Sequence, residues 1–203
     1  MARASDLLAL ARGELGVTES PRGSNKVKYN DAYGGGPKAW CCVFLWWLFD
    51  RAGASELFYG GGKTAYAPTL QTYHRKAGQA VTGDYKPGDV IFFDFNGNGT
   101  ADHVGLCESW DGQSITTIDG NTGEGNEANG GCVMRRTRSR NTICGAYRPA
   151  YEPEAISKET PDAWAQNAWA WATENGLLDG TRPRDPLTRQ EFAVVLFKLK
   201  RDS

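Results

Sequence analysis

What this 203-residue chain has little of narrows its function first. It has two histidines, two methionines and five cysteines, and none of the cysteines form a Cys-x-x-Cys pair. A structural zinc centre is built from closely spaced Cys and His ligands, so one here would need an unusual ligand set. Net charge is −1 and the pI is about 6.1, so no global basic field points to nucleic acid. The longest apolar run, Ala39 to Phe49, is too short to span a bilayer, and no membrane role is expected. The opening stretch MARASDLLALARGELG carries Asp6, Arg12 and Glu14 and has no continuous apolar core, so it does not read as a secretory signal. The protein is therefore expected to stay in the cytoplasm where it is made, unless something else moves it out.

That compartment, together with the odd cysteine count, argues against a disulfide framework. Cys107, Cys132 and Cys144 lie in strand-like runs and read as buried thiols. A bridge between Cys132 and Cys144, across a hairpin turn near Arg138 to Asn141, is the less favoured alternative. The hydrophobic share, 40%, is that of an ordinary folded domain, and the length suits one full domain plus a small appendage.

Along the chain, residues 5–15 have the pattern of an amphipathic helix, with Ser5 as N-cap and Gly16 as stop. ESPRGSNKVKYNDAYGGGPK follows as an irregular loop. Pro37 stands where a helix can begin, and the segment from Trp40 to Arg51 is apolar on nearly every side, which places it at the centre of a domain. From Asp84 on, DVIFFDF, DHVGLCESW, SITTIDG, CVMRRTR and TICGAYR are short β-rich runs separated by Gly, Asn and Asp. Helices first and an antiparallel sheet afterwards predict an α+β domain over residues 1–151. Residues 152–160 read as a polar linker. Residues 161–203 read as a small helical module, with Thr160 and Pro161 opening a first helix that carries Trp164, Ala168 and Trp171, and a Thr188/Glu191 capping box opening its last. Phe192, Val195, Leu196 and Leu199 share one face of that last helix.

Two stretches resemble functional motifs without meeting their terms. GGGKT at residues 60–64 lacks the first glycine of a phosphate loop, which falls on Leu57, and no strand leads into it. RRTRSR at residues 135–140 reads as a solvated hairpin tip, with contact to an anionic polymer as the smaller alternative.

The chemistry gathers elsewhere. A nucleophilic thiol needs a base beside it and a group to orient that base. Cys41 falls in the first turn of the apolar helix, where the helix dipole and free N–H groups favour a thiolate. Successive helical residues are about 100° apart, so Cys42 cannot face the same cleft and is expected in apolar packing. His103 opens a β-rich run, and Asp119 and Asn121 follow in another. In an extended chain these two point to one side, where both can approach one imidazole.

AWCCVFLWWLFDRAGAS, KPGDVIFFDF, DHVGL and TTIDGNTG, in this order, resemble a CHAP domain. These are papain-like cysteine, histidine-dependent amidohydrolases/peptidases that cut peptidoglycan and are common in phage endolysins. The resemblance covers roughly residues 5–150. It implies a papain-like fold, Cys41 as nucleophile directly after Trp40, His103 as base, Asp119 at the acidic position and Asn121 two residues later. Glu is the common acid in that pattern, so whether Asp119 or Asn121 holds the imidazole is open. The resemblance does not decide between N-acetylmuramoyl-L-alanine amidase and peptide endopeptidase. It implies bacterial peptidoglycan as the partner; an opening that does not read as a secretory signal fits release to the wall through a holin, and equally a tail-associated hydrolase.

Asp94, Asn96, Asn98 and Asp102 match ligand positions of an EF-hand loop. Gly105 stands where the bidentate Glu belongs, so calcium is a candidate ligand that the chemistry does not require. The tail from Trp164 to Leu199 resembles one S-layer homology repeat, which implies binding to a wall polysaccharide. A single short repeat has a marginal core, and that favours docking or self-association into a homo-oligomer. Two rivals stand beside this reading. One is a zinc amidase using His74 and His103, and the other is a wall-binding protein without catalysis.

Overall fold

In the computed structural model, described here for residues 2–153, 161–180 and 183–201, the chain divides into two compact units, Met1–Glu154 and Ala155–Ser203. The expected linker lies largely outside the described residues.

The first unit is α+β. Five helices, α1 (Ala4–Gly13), α2 (Lys28–Tyr33), α3 (Cys41–Arg51), α4 (Ser55–Tyr59) and α5 (Ala67–Lys76), precede five strands. The strands are β1 (Val90–Phe93), β2 (His103–Trp110), β3 (Ser114–Thr122), β4 (Cys132–Ser139) and β5 (Ile143–Tyr147). They form one antiparallel sheet in the order β4-β3-β2-β1-β5.

The apolar helix is α3, and Val43, Phe44, Leu45, Leu48 and Phe49 on it are fully enclosed. Each such side chain contributes about 1.5–3 kcal/mol by leaving water, so α3 dominates the core. That core also holds Val90, Phe92, Val104, Leu106 and Ile118 from one face of the sheet. The opposite face closes over a second cluster of Ile91, Phe93, Cys107, Ile115 and Ala146. Burial on both faces explains why β1 reads as an unbroken apolar run rather than an alternation.

Several local expectations shift. Helix α1 starts two residues earlier than the Ser5 cap implies: Arg3 is the N-cap, and the Asp6 carboxylate accepts its backbone N–H at 2.9 Å. The loop before α3 contains a helical turn, α2, held because Tyr29 and Asn30 are buried. Pro37 does not open α3. Gly34, Gly35 and Gly36 all adopt left-handed φ, and the helix begins only after Trp40.

RRTRSR is not a hairpin tip. It runs along β4, an edge strand paired with β3, and the turn follows at Arg140–Thr142. Its successor β5 pairs with β1 at the other edge of the sheet, so Cys132 and Cys144 are not hairpin partners, and all five cysteines are free. The sheet curls strongly enough that Arg138 of β4 lies 4.5 Å from the Phe93 ring of β1.

In the second unit a short 3-10 turn, Ala163–Ala165, leads into α6 (Gln166–Glu174), and α7 spans Arg189–Arg201. Thr160, expected to open the first helix, lies outside the described residues. The capping box forms as expected: Glu191 N–H donates to Thr188 Oγ1 at 3.2 Å, and Thr188 N–H donates to Glu191 Oε2 at 2.9 Å. Val195 lines an apolar groove with Trp169 and Leu177, whereas Phe192, Leu196 and Leu199 are exposed. The face assigned from periodicity therefore splits between groove and solvent. No helix among the described residues is long and apolar enough to cross a membrane.

Candidate active site

Two close approaches build the site. Trp40, the N-cap of α3, is fully buried, and its Nε1–H donates to Glu19 Oε1 at 2.8 Å. The first turn of α3 then rests on β3 at Gly120, where an added Cβ would lie 2.9 Å from Trp40 Cζ3 and overlap Phe44 Cβ. Only glycine permits that contact. On β2, a Cβ at Gly105 would overlap Asp119 Oδ1, so the glycine of DHVGL makes room for the carboxylate opposite it.

These approaches bring Cys41, His103 and Asp119 together. His103 Nε2 and Asp119 Oδ2 are 3.1 Å apart, and both side chains have no exposure. Nδ1 is buried without a hydrogen-bond partner, leaving it as the ring nitrogen open to Cys41, whose thiol interacts with the imidazole. Cys41 retains 6% exposure and Cys42 none, so Cys41 is the thiol a solute can reach.

The electrostatics separate the two thiols. The neighbouring Cys42 thiol is the largest influence on Cys41, and with the His103 imidazole it outweighs burial and holds the Cys41 pKa well below that of an ordinary thiol. The same interaction, together with burial, pushes Cys42 well above it. For His103, burial alone would lower the pKa. The Asp119 hydrogen bond and the Cys41 thiolate overcome this and raise it to about 9. Asp119 is opposed by burial yet stays below its usual value through His103 and Arg138. The group is thus set up as thiolate, imidazolium and carboxylate.

Asn121 is buried as well but makes no hydrogen bond to the imidazole. Its Nδ2 donates to Asn129 Oδ1 at 2.9 Å, and its φ is +60°. The β3–β4 register shifts between Asp119 and Thr122, so the alternation that would put Asp119 and Asn121 on one side breaks at a bulge. Arg138, expected in a solvated turn, is buried and donates through Nη1 to Asp119 Oδ2 at 2.6 Å. No local signal in the basic run singles it out: its partner across the ladder is Ile115, whereas Arg135 and Arg136 stand opposite Ile118 and Thr117 of the acidic motif.

His74 is placed elsewhere. Its Nδ1 contacts Gln79 Oε1 and its Nε2 contacts the Phe58 carbonyl, each at 2.6 Å, and its ring stacks on Tyr147 at 3.4 Å. None of these partners is shared with His103, so the His74–His103 pair of the zinc alternative does not assemble. Among the described residues, no three His, Cys, Asp or Glu side chains converge as a metal set.

In the Asp94 loop, Asp94 accepts N–H groups of Asn96, Gly97 and Gly99, and Asn96 Nδ2 donates to both oxygens of Asp102. Its oxygen donors are engaged within a ladder of Asx turns.

Comparison with known proteins agrees with this geometry. Residues 31–121 match the family model of the CHAP domain, a span that contains Cys41, His103, Asp119 and Asn121. No curated protein matches the chain. Among solved structures, the wild-type endolysin LysIME-EF1 aligns with a TM-score of 0.52 at 16% identity, over 75% of this chain and 66% of that one. Ly7917 aligns at 0.47 and 16% identity, over 73% and 62%, and its complex with the hydrolysing product of MDP at 0.46 and 17%, over 72% and 62%. The chain thus spans less than two thirds of the length of each, and the likeness to LysIME-EF1 is one of fold.

Proposed function

We propose that this protein is a peptidoglycan hydrolase of endolysin type that cleaves an amide bond with Cys41 as nucleophile. The observation that carries the reading is the buried Cys41–His103–Asp119 group at the start of α3, inside the span that matches the CHAP domain.

The reaction follows from those groups. The Cys41 thiolate adds to the amide carbonyl, and the oxyanion develops beside unpaired N–H groups in the first turn of α3. The His103 imidazolium protonates the departing amine as the C–N bond breaks, leaving a thioester on Cys41. Neutral His103 then takes a proton from water, hydroxide attacks the thioester, and the thiolate and imidazolium are restored. Asp119 holds the imidazole and stabilises its charged form. Asn121 braces the adjoining loop through Asn129.

In this proposal the second unit serves wall binding or self-association. Its exposed Trp164, Phe192 and Phe197 support an interacting surface rather than a closed core. Removal of residues 155–203 is expected to weaken sedimentation with cell walls or reduce the assembly size in light scattering, while the first unit stays folded.

The central test is mass spectrometry of fragments released from purified peptidoglycan. The expected result is new amino termini with the wild-type chain and none with Cys41→Ser. The fragment masses identify the bond. Wall binding without fragments would favour the non-catalytic reading instead.

A further inference from the structure

Behind the imidazole, a line of groups of alternating charge runs out to a loop. Asp119 Oδ2 receives Arg138 Nη1 at 2.6 Å as well as His103 at 3.1 Å, while Asp119 Oδ1 is buried with no hydrogen-bond partner. One oxygen therefore carries both contacts, and Arg138 shares in fixing its direction. The other side of the guanidinium is taken by Glu127, which accepts from Nε at 3.0 Å and from Nη2 at 2.8 Å. Nη1 also reaches Thr117 Oγ1 at 3.2 Å. The plane lies 4.5 Å from the Phe93 ring and 5.4 Å from the Phe95 ring, which seal it from water.

We propose that Arg138 is a positioning residue for the reaction: pinned from behind by Glu127, it keeps Asp119 ionised and aims Oδ2 at His103. The inference rests on the reading of Cys41 and His103 given above.

A buried ion pair is a poor device for merely joining two strands, since well-packed apolar residues do that at least as well. Two acids must be held at once in a fixed plane, which an arginine fork does and a lysine point charge does not. The titratable groups facing Asp119 are His103 from β2 and Arg138 from β4, with Cys41 and then Cys42 of α3 beyond the imidazole. Glu127 and Arg136, itself paired to Glu127, flank the far side.

Loss of the cation raises the pH at which Asp119 takes a proton, and with it the pH below which the thiolate–imidazolium pair collapses. The test follows the rate of Cys41 alkylation by iodoacetamide against pH, beside kcat and KM for fragment release from purified peptidoglycan. Arg138→Met is expected to move the acid limb of both profiles upward by about one pH unit or more. It should also lower kcat by at least about tenfold, with little change in KM. Arg138→Lys should restore the acid limb but not the full kcat. Glu127→Gln, which removes an anion rather than a cation, should shift the limb downward, and it provides the test if Arg138→Met does not fold. Unmoved acid limbs in these folded variants would overturn the proposal. A wild-type chain that releases no fragments, beside variants whose alkylation profiles shift as described, would overturn the hydrolase reading and leave the role of Arg138 standing.

Discussion

His103 Nε2 stands 3.1 Å from Asp119 Oδ2 with neither side chain exposed to solvent, so the charge on the imidazole is decided by protein groups alone. In water an imidazole loses its proton near pH 6.5. Here burial works toward earlier loss, but Asp119 and the Cys41 thiolate carry the pKa to about 9. A pKa raised on folding stabilises the native state fully below the unfolded value, and that contribution is lost as pH rises through the folded one.

The hydrolytic rate is therefore expected to fall as pH passes through about 9, together with a decline in melting temperature over the window from about 6.5 to 9. Asp119→Asn removes the carboxylate that holds the proton and should draw that basic limb down toward neutral pH. A pH–rate profile of both proteins checks it; coincident basic limbs would show that Asp119 does not tune His103.

Cys41→Ser is expected to abolish fragment release, because a serine hydroxyl lacks the lowered pKa that gives a thiolate. Cys42→Ala should remain active with the acid limb of its pH–rate profile moved upward, since Cys42 is the largest influence lowering the Cys41 pKa, and should cost about 1 kcal/mol from the small cavity it leaves. Iodoacetamide at neutral pH should label Cys41 first in the native protein, read by peptide mapping. Preferential labelling of Cys42 would reverse the assignment.

His74→Ala should destabilise the fold by about 2 kcal/mol or more, since the histidine is buried, bonded at both nitrogens and stacked on Tyr147. Its kcat should stay close to that of the wild type at a temperature where both are folded, whereas folded His103→Ala should be inactive. Thermal melts and turnover measured side by side distinguish the two. Equal loss of turnover in both would misplace the base.

A calcium ion at the Asp94 loop would have to displace Asn96 from Asp102 and draw oxygen ligands out of the Asx-turn ladder. Binding would thus appear as a rise in melting temperature with calcium that Asp94→Ala removes. A flat calorimetric titration of the wild-type protein excludes the ion.

Much of this was legible in the sequence because its signals are local. The apolar helix from Trp40, the β-rich second half and the Thr188/Glu191 cap each follow from side-chain period or from bonds spanning three or four residues. Which of the two adjacent thiols keeps some exposure was legible for the same reason: only one of two successive helical side chains can face a cleft, and the first lies nearer the free N–H groups. The motif order brought His103 toward Asp119 and Asn121 and left open which of the two meets the imidazole.

The tertiary structure decided what depends on residues far apart in the chain. Gly105 and Gly120 look like ordinary glycines until the carboxylate and the helix they admit are in place. Asn121 leaves the imidazole because a bulge interrupts the strand alternation, and a bulge depends on the partner strand as well as on the residues themselves. Arg138 belongs to a run that looks like a solvated turn, yet the curl of the sheet brings it over Phe93 and against Asp119. Composition and spacing determined which chemical groups the protein carries. Which oxygen meets which proton was set by strand register and close packing, and these arise only when the whole domain excludes water at once.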